Sequence, residues 1–129
     1  MDIEKIKKSI MDFLKAEGYV PSIDDDGDIN FKKEGDLYYV LLDEKETSPF
    51  YLTFTLGRKM PEDYDMNKAK ILAFEIEEFK GIKMKLFKTG IQTRTEMFFQ
   101  NINHFNDVFK RSSEIMLWAM NEFCEKYFG

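Results

Sequence analysis

His104 and Cys124 are the single histidine and single cysteine of this 129-residue chain. A Cys-His pair can act only when the two side chains lie within roughly 3 Å of each other. Both residues fall in the amphipathic segment that ends the chain, where a continuous helix would hold them roughly 30 Å apart. A zinc site needs several His or Cys ligands that converge. We therefore predict no catalytic residue, no metal site and no cofactor.

Clustered carboxylates are the second candidate for chemistry. Residues 24–28, called the acidic turn below, read Asp-Asp-Asp-Gly-Asp, and their carboxylates could offer oxygen ligands to calcium from Asp24, Asp26 and Asp28. An EF-hand loop needs a bidentate Glu six positions after its central Gly, and Lys33 holds that position if Gly27 is central. The sequence thus favours a solvated turn. A ligand- or calcium-responsive domain that uses this turn is the alternative hypothesis.

Positive charge collects later in the chain. Residues 80–95 include four lysines and Arg94 but no acidic residue. Alternation places Lys83 and Lys85 on one face of a strand, and Arg94 can share that face on the next strand. Sheets that bind nucleic acid add exposed aromatic residues to such cations, and only Phe98 qualifies here. Nucleic acid is therefore the disfavoured partner. The stripe is either a solvated face or a protein-binding surface, complementary to the acidic turn of a second copy or to another partner.

Composition bounds the class of protein. Apolar residues make up 43% of the chain, including thirteen Phe, which is too many for a disordered chain. A chain of this length can bury one core without disulfides or metal. An unpaired cysteine suits a reducing compartment. The first residues carry charges every few positions, unlike a leader peptide, and no apolar run is long enough to cross a membrane. We expect a single domain, 1–129, that is cytoplasmic and has no membrane contact.

Apolar periodicity predicts the secondary structure. The predicted elements are a helix at 2–17, strands at 29–31, 37–42 and 50–56, a helix at 67–80, strands at 82–86 and 91–99, and a last helix that begins at Asn101 or Asn103. The polar segments 43–49 and 57–65 are predicted loops. Strands joined by short turns run antiparallel. The predicted fold is α+β, a five-stranded antiparallel sheet with helices packed on it in the order helix-strand-strand-strand-helix-strand-strand-helix.

The segment 67–80 is the ambiguous one. Its residues Ala69, Leu72 and Ile76 share a helical face with Phe79, whereas Leu72, Phe74 and Ile76 also fit a strand. Ala, Leu, Lys and Glu dominate the segment, and this composition favours a helix.

This order of elements, opened by an Asp-rich turn, resembles the YbjN-like proteins, also called bacterial sensory transduction regulators. The residues that carry the resemblance are Ile23-Asp24-Asp25-Asp26-Gly27-Asp28-Ile29-Asn30-Phe31, the strand 37–42, the region from Met66-Asn67 into the second helix, and the closing amphipathic helix. The resemblance implies the fold of type III secretion chaperones, a tendency to form dimers and a protein-binding role. It implies no catalytic residue.

Self-association has separate support in the last helix. Leu117, Cys124 and Phe128 lie off its main apolar stripe and would be exposed in a monomer, and exposed apolar patches often mark association surfaces. We therefore predict a non-catalytic protein-interaction domain, chaperone-like or regulatory, that forms a homodimer and binds an unidentified protein. The candidate partner-binding residues are Lys83, Lys85, Arg94, Asp24, Asp26, Asp28, Leu117 and Phe128.

Overall fold

Three helices and six strands make up the computed structural model, which describes residues 2–47, 49–77 and 81–129, without the side chain of Thr47. The elements are α1 (Ile3–Ala16), β1 (Ser22–Ile23), β2 (Ile29–Lys33), β3 (Asp36–Thr47), β4 (Phe50–Lys59), α2 (Met66–Ile76), β5 (Lys83–Phe87), β6 (Gly90–Phe99) and α3 (Ile102–Phe128). The α+β class, the antiparallel sheet and the order of the predicted elements are confirmed.

Helix ends follow from local capping. The side chains of Asp2, Asp65 and Asn101 accept hydrogen bonds from backbone N–H groups in the first turns of α1, α2 and α3. Such caps satisfy donors that have no partner inside the helix. Gly18, at φ +95°, turns the chain after α1, as glycine allows. The helical alternative for 67–80 is the correct one over Met66–Ile76, and the remainder at 78–80, with Phe79, lies outside the described residues.

The strand count is a correction, because the sheet has six strands and not five. The sixth is β1, two residues long, which pairs with β2 through Ser22–Asn30 and Ile23–Ile29. A two-residue strand is too short to show a period of two, so alternation could not reveal it. The strand order is β1-β2-β3-β4-β6-β5 and all pairs are antiparallel.

Both predicted loops are wrong in part. The segment 43–49 largely belongs to β3, which extends to Thr47 beyond a register shift that begins at Leu42. The segment 57–65 begins inside β4, which extends to Lys59 and pairs there with Gly90. In both places backbone pairing continues after the apolar alternation has stopped.

The helices all pack on one face of the sheet, called the inner face. Phe54 of β4 meets Phe105 and Phe109 of α3 at ring-centroid distances of 5.7 and 5.4 Å. Phe13 of α1 contacts the same two α3 rings, and Lys68 of α2 donates to a carbonyl at the end of α3. The opposite, outer face is uncovered by the helices of the described ranges. Within those ranges, no helix combines the length and the apolar character that a bilayer crossing requires.

Candidate partner-binding surface

The outer face is lined by alternate residues of the five longer strands. The cross-strand register places on it Asn30 and Lys32 of β2, Leu37, Tyr39 and Leu41 of β3, Tyr51, Thr53 and Thr55 of β4, Gln92, Arg94, Glu96 and Phe98 of β6, and Lys83, Lys85 and Phe87 of β5. Phe98 is 59% exposed and Phe87 is 41% exposed, although both are large apolar side chains. The prediction that Phe98 alone is an exposed aromatic residue beside the cations is therefore wrong. An uncovered sheet face with apolar, aromatic and charged residues is a candidate for binding another chain.

Three predicted cations meet on this face. Lys83 of β5 is directly opposite Arg94 of β6, and Lys85 is opposite Gln92. Side chains that are directly opposite in an antiparallel pair lie on the same face, with Cβ atoms roughly 5 Å apart. The structure thus brings together Lys83, Lys85 and Arg94, as alternation predicted. Their role in binding a partner stays a prediction.

Glu96 is an acidic residue that two of these cations, Lys83 and Arg94, share. The Tyr51 hydroxyl donates a hydrogen bond to its carboxylate, Lys83 Nζ lies 3.4 Å from it, and Arg94 Nε lies 3.7 Å from it. The hydrogen bond from Tyr51, followed by the contact with Lys83, holds the pKa of Glu96 below its ordinary value. The carboxylate is therefore ionised at neutral pH and neutralises part of the cationic stripe.

Two buried polar atoms on this face have no hydrogen-bond partner in the described part of the chain, Arg94 Nε and Thr55 Oγ1. Arg94 and Thr55 are directly opposite each other on β6 and β4. An unsatisfied buried donor costs about 1–3 kcal/mol, more when it is charged. The outer face therefore holds a guanidinium whose buried Nε has an ion-pair contact with Glu96 at 3.7 Å but no hydrogen bond among the described residues.

The acidic turn is folded around one of its own carboxylates. Asp24 Oδ1 accepts hydrogen bonds from the backbone N–H groups of Asp26 and Asp28, at 3.0 and 2.9 Å. One carboxylate oxygen from each of the three aspartates lies within 4.8 Å of the others. Burial, followed by repulsion from Asp24 and Asp26, raises the pKa of Asp28, and Lys7 opposes that rise. The Lys7 ammonium reaches this loop, since a Cβ added to Gly27 would lie 3.3 Å from it.

The acidic turn and the cationic stripe lie at opposite edges of the sheet. The acidic turn joins β1 to β2, whereas the cations lie on β6 and on β5 at the far edge. Four inter-strand steps separate β2 from β5, which is roughly 19 Å. The two charged regions of one copy therefore do not meet, and a contact between them would need a second copy.

Exposed apolar residues on α2 form a second surface, called the α2 patch below. Ile71 is 64% exposed and Phe74 is 74% exposed, and the two are one helical turn apart. Of the predicted α3 residues, Phe128 is exposed, whereas Leu117 and Cys124 are half-buried and pack against the core. The structure thus places little of the predicted α3 surface in solvent.

A polar cluster closes the inner face at the end of β4. Arg58 donates to both carboxylate oxygens of Asp36, at 2.8 and 2.7 Å, and its Nη1 lies 3.8 Å from Cys124 Sγ. The bond to Asp36 raises the pKa of Arg58. Burial, followed by repulsion from Asp36, raises the pKa of the neighbouring Tyr38 to about 12. Arg58 and Asp36 neutralise each other in a largely buried position, and we assign this ion pair a structural role.

The predicted separation of His104 from Cys124 is confirmed. The helix α3 runs without a break from Ile102 to Phe128, so the two side chains lie roughly 30 Å apart along it. A Cys-His dyad cannot form in this fold.

The sequence does not predict the hydrogen bond between Tyr51 and Glu96 on the outer face. In the sequence Tyr51 is one polar member of an alternating strand, and Glu96 lies 45 positions away, so no local pattern links the two residues. The α2 patch is visible in the sequence, because Phe74 is apolar but lies outside the buried face of the helix, to which Ala73 belongs. That two-sided apolar pattern made the segment fit a strand as well.

Comparison with known proteins gives a likeness of fold. No family model matches the chain, and no curated protein matches it. A solved structure described as the HopA1-SchA chaperone-effector complex contains a chain that aligns with 95% of this chain and 98% of its own length, with a TM-score of 0.60 and 12% sequence identity. This finding supports the predicted chaperone-like fold, while the resemblance to YbjN-like proteins stays a prediction. The chain is similar in fold, over nearly its whole length, to a component of a chaperone-effector complex.

Proposed function

We propose that this chain is a non-catalytic, chaperone-like or regulatory domain that binds another protein and acts as a homodimer in the cytoplasm. The observation that carries the proposal is the fold likeness to a chain of a chaperone-effector complex over 95% of the sequence. Fold alone does not fix function, but two surfaces of this chain agree with it. The outer face offers a wide uncovered sheet, and the α2 patch offers apolar area for a second contact.

A capture experiment tests the protein-binding role. The tagged full chain, expressed in its native cells, is expected to retain one or a few polypeptides in fixed proportion after salt washing. Capture followed by mass spectrometry measures this, with a chain unfolded by Phe54→Ala and Phe105→Ala as the control for non-specific adhesion. If the native chain is monomeric at high concentration and retains nothing beyond this control, the proposal fails.

The α2 patch is the surface that we assign to the dimer. Phe74→Asp is expected to weaken dimerisation at least about thirtyfold, because a central aromatic contact is worth about 2 kcal/mol or more and occurs twice in a symmetric dimer. Light scattering at increasing protein concentration measures the change.

Val20→Asp is the matched control for the dimer, since Val20 is 89% exposed and lies before β1, away from α2. This variant adds the same charge and is expected to leave dimerisation unchanged. Equal weakening by both variants, or an unchanged dimer in Phe74→Asp, would remove the α2 patch from the interface.

A second candidate function is calcium-responsive binding at the acidic turn. It is favoured by one observation, the three carboxylates that lie within 4.8 Å of one another. It predicts that calcium raises the melting temperature and that Asp24→Asn with Asp26→Asn abolishes the rise. Thermal denaturation with calcium, with magnesium and with a chelator measures this. The Lys7 ammonium already lies at this loop, and an unchanged melting temperature in calcium would reject the function.

A further inference from the structure

The cations of the outer face repeat at the spacing of an extended chain. Lys83 and Lys85 are two residues apart on β5 and point to the same side, so their Cα atoms are roughly 6.6 Å apart. An extended polypeptide presents every second side chain to one side at this same interval. A segment with carboxylates at alternate positions could therefore place one beside each lysine.

Positive charge exceeds negative charge in this part of the outer face. Lys83, Lys85 and Arg94 face one carboxylate, that of Glu96, which already receives the Tyr51 hydroxyl and the Lys83 contact. Lys85 has no ion pair in the described ranges and lies 5.5 Å from the centre of the Phe87 ring. The stripe thus keeps unneutralised charge for an acidic partner.

Arg94 supplies the anchor. Its side chain is 18% exposed, and its buried Nε lies 3.7 Å from Glu96 Oε1, so neighbouring side chains hold the guanidinium in place. A guanidinium presents donors in a fork that matches a carboxylate, and such charge-assisted pairs are the strong ones. A carboxylate from a partner would meet the exposed part of a side chain that its neighbours already hold in place.

The edge of β5 is less suited to binding a partner segment than the outer face of the same strand. The backbone N–H of Met84 points away from β6 and donates to Glu77 Oε1 at 3.2 Å, so part of the edge is already occupied. The outer face beside it carries Phe98, which is 59% exposed, and the half-buried Tyr51 ring in contact with it. These rings could hold the apolar residues that flank an acidic segment.

We propose that the outer face over β5 and β6 binds an extended acidic segment of the partner protein, with Asp or Glu at every second position against Lys83, Lys85 and Arg94. This inference rests on the proposed protein-binding function and names the chemistry of the partner. A polyanionic nucleic acid is disfavoured, because the chain carries a net charge of −5. The stripe does carry two exposed rings on which bases could stack, those of Phe98 and Phe87, so an oligonucleotide is included in the test.

The test uses the full chain and a labelled synthetic peptide that alternates Glu with Thr and Val. Fluorescence anisotropy is expected to show binding that weakens as salt rises. Lys83→Gln with Lys85→Gln should weaken it about tenfold, and Arg94→Gln at least as much. The matched control is Lys5→Gln with Lys110→Gln, two exposed lysines on helices whose loss changes net charge equally, and it should leave affinity unchanged. Because Lys83 and Lys85 are exposed, their double variant keeps the fold even if Arg94→Gln does not.

Three results would overturn the inference. One is equal weakening by the two double variants, which would mean unspecific charge attraction. Another is equal binding of a peptide with the same composition but with its glutamates in one block. The third is tighter, Lys83- and Lys85-dependent binding of oligothymidylate. If the native chain still captures a protein partner while the alternating peptide does not bind, the acidic segment is rejected and the protein-binding function stands.

Discussion

Phe54→Ala is expected to lower the free energy of unfolding by about 4 kcal/mol, within the range for large aromatic residues removed from a core. Phe54 is fully buried in the central strand β4. Its ring lies 5.7 Å from Phe105 and 5.4 Å from Phe109 of α3, and 5.8 Å from Tyr38 of β3. The truncation therefore opens a cavity where the sheet meets its longest helix. Urea denaturation followed by circular dichroism measures the loss.

Phe98→Ala is the control for that prediction. Phe98 is a phenylalanine on the neighbouring strand β6, but it points to the outer face and is 59% exposed. Its removal is expected to change stability by about 0.5 kcal/mol or less. Comparable losses in the two variants would show that the outer face is covered, and this would contradict the proposed binding surface.

The inner face was predictable because its buried residues recur at a regular spacing in the sequence. Phe50, Leu52, Phe54 and Leu56 alternate with polar residues, and all four are buried. The same alternation in β5 and β6 predicted that Lys83, Lys85 and Arg94 share a face. The helix α3 was predictable for the same reason, since Phe105, Phe109 and Phe123 recur at helical spacing and are buried.

The rest of the fold depends on pairings that alternation does not record. The last residues of β4 carry no apolar side chain toward the helices, because Arg58 fills that place and is neutralised by Asp36, 22 positions earlier. A prediction from apolar periodicity therefore ends this strand at residue 56, whereas β4 extends to Lys59. Glu96 neutralises part of the cationic stripe, and this also depends on cross-strand neighbours. Tyr51 reaches Glu96 only because β4 pairs with β6.

Arg58→Met is expected to lower the free energy of unfolding by about 2 kcal/mol. The side chains of Arg58 and Asp36 are 27% and 16% exposed, and two hydrogen bonds join them. Removing one member of a buried ion pair costs about 3–5 kcal/mol, because the other charge is left without compensation. The residual exposure of this pair reduces that figure. Methionine keeps the apolar stem, so the loss reports on the guanidinium and not on the packing. Urea denaturation at neutral pH measures it.

Lys8→Met provides the matched control for Arg58→Met. Lys8 forms an ion pair with Asp12 at 2.8 Å, close to the 2.7 Å between Arg58 and Asp36, but the side chains of Lys8 and Asp12 are 77% and 58% exposed. This variant is expected to leave the free energy of unfolding nearly unchanged, because water screens an exposed ion pair. Replacing both partners, as Arg58→Met with Asp36→Leu, should recover most of the stability, because no buried charge is then left alone. If the double variant is as unstable as Arg58→Met, the pair contributes through packing against Cys124 and Tyr38, and its charge has no part in holding the end of β4 against α3.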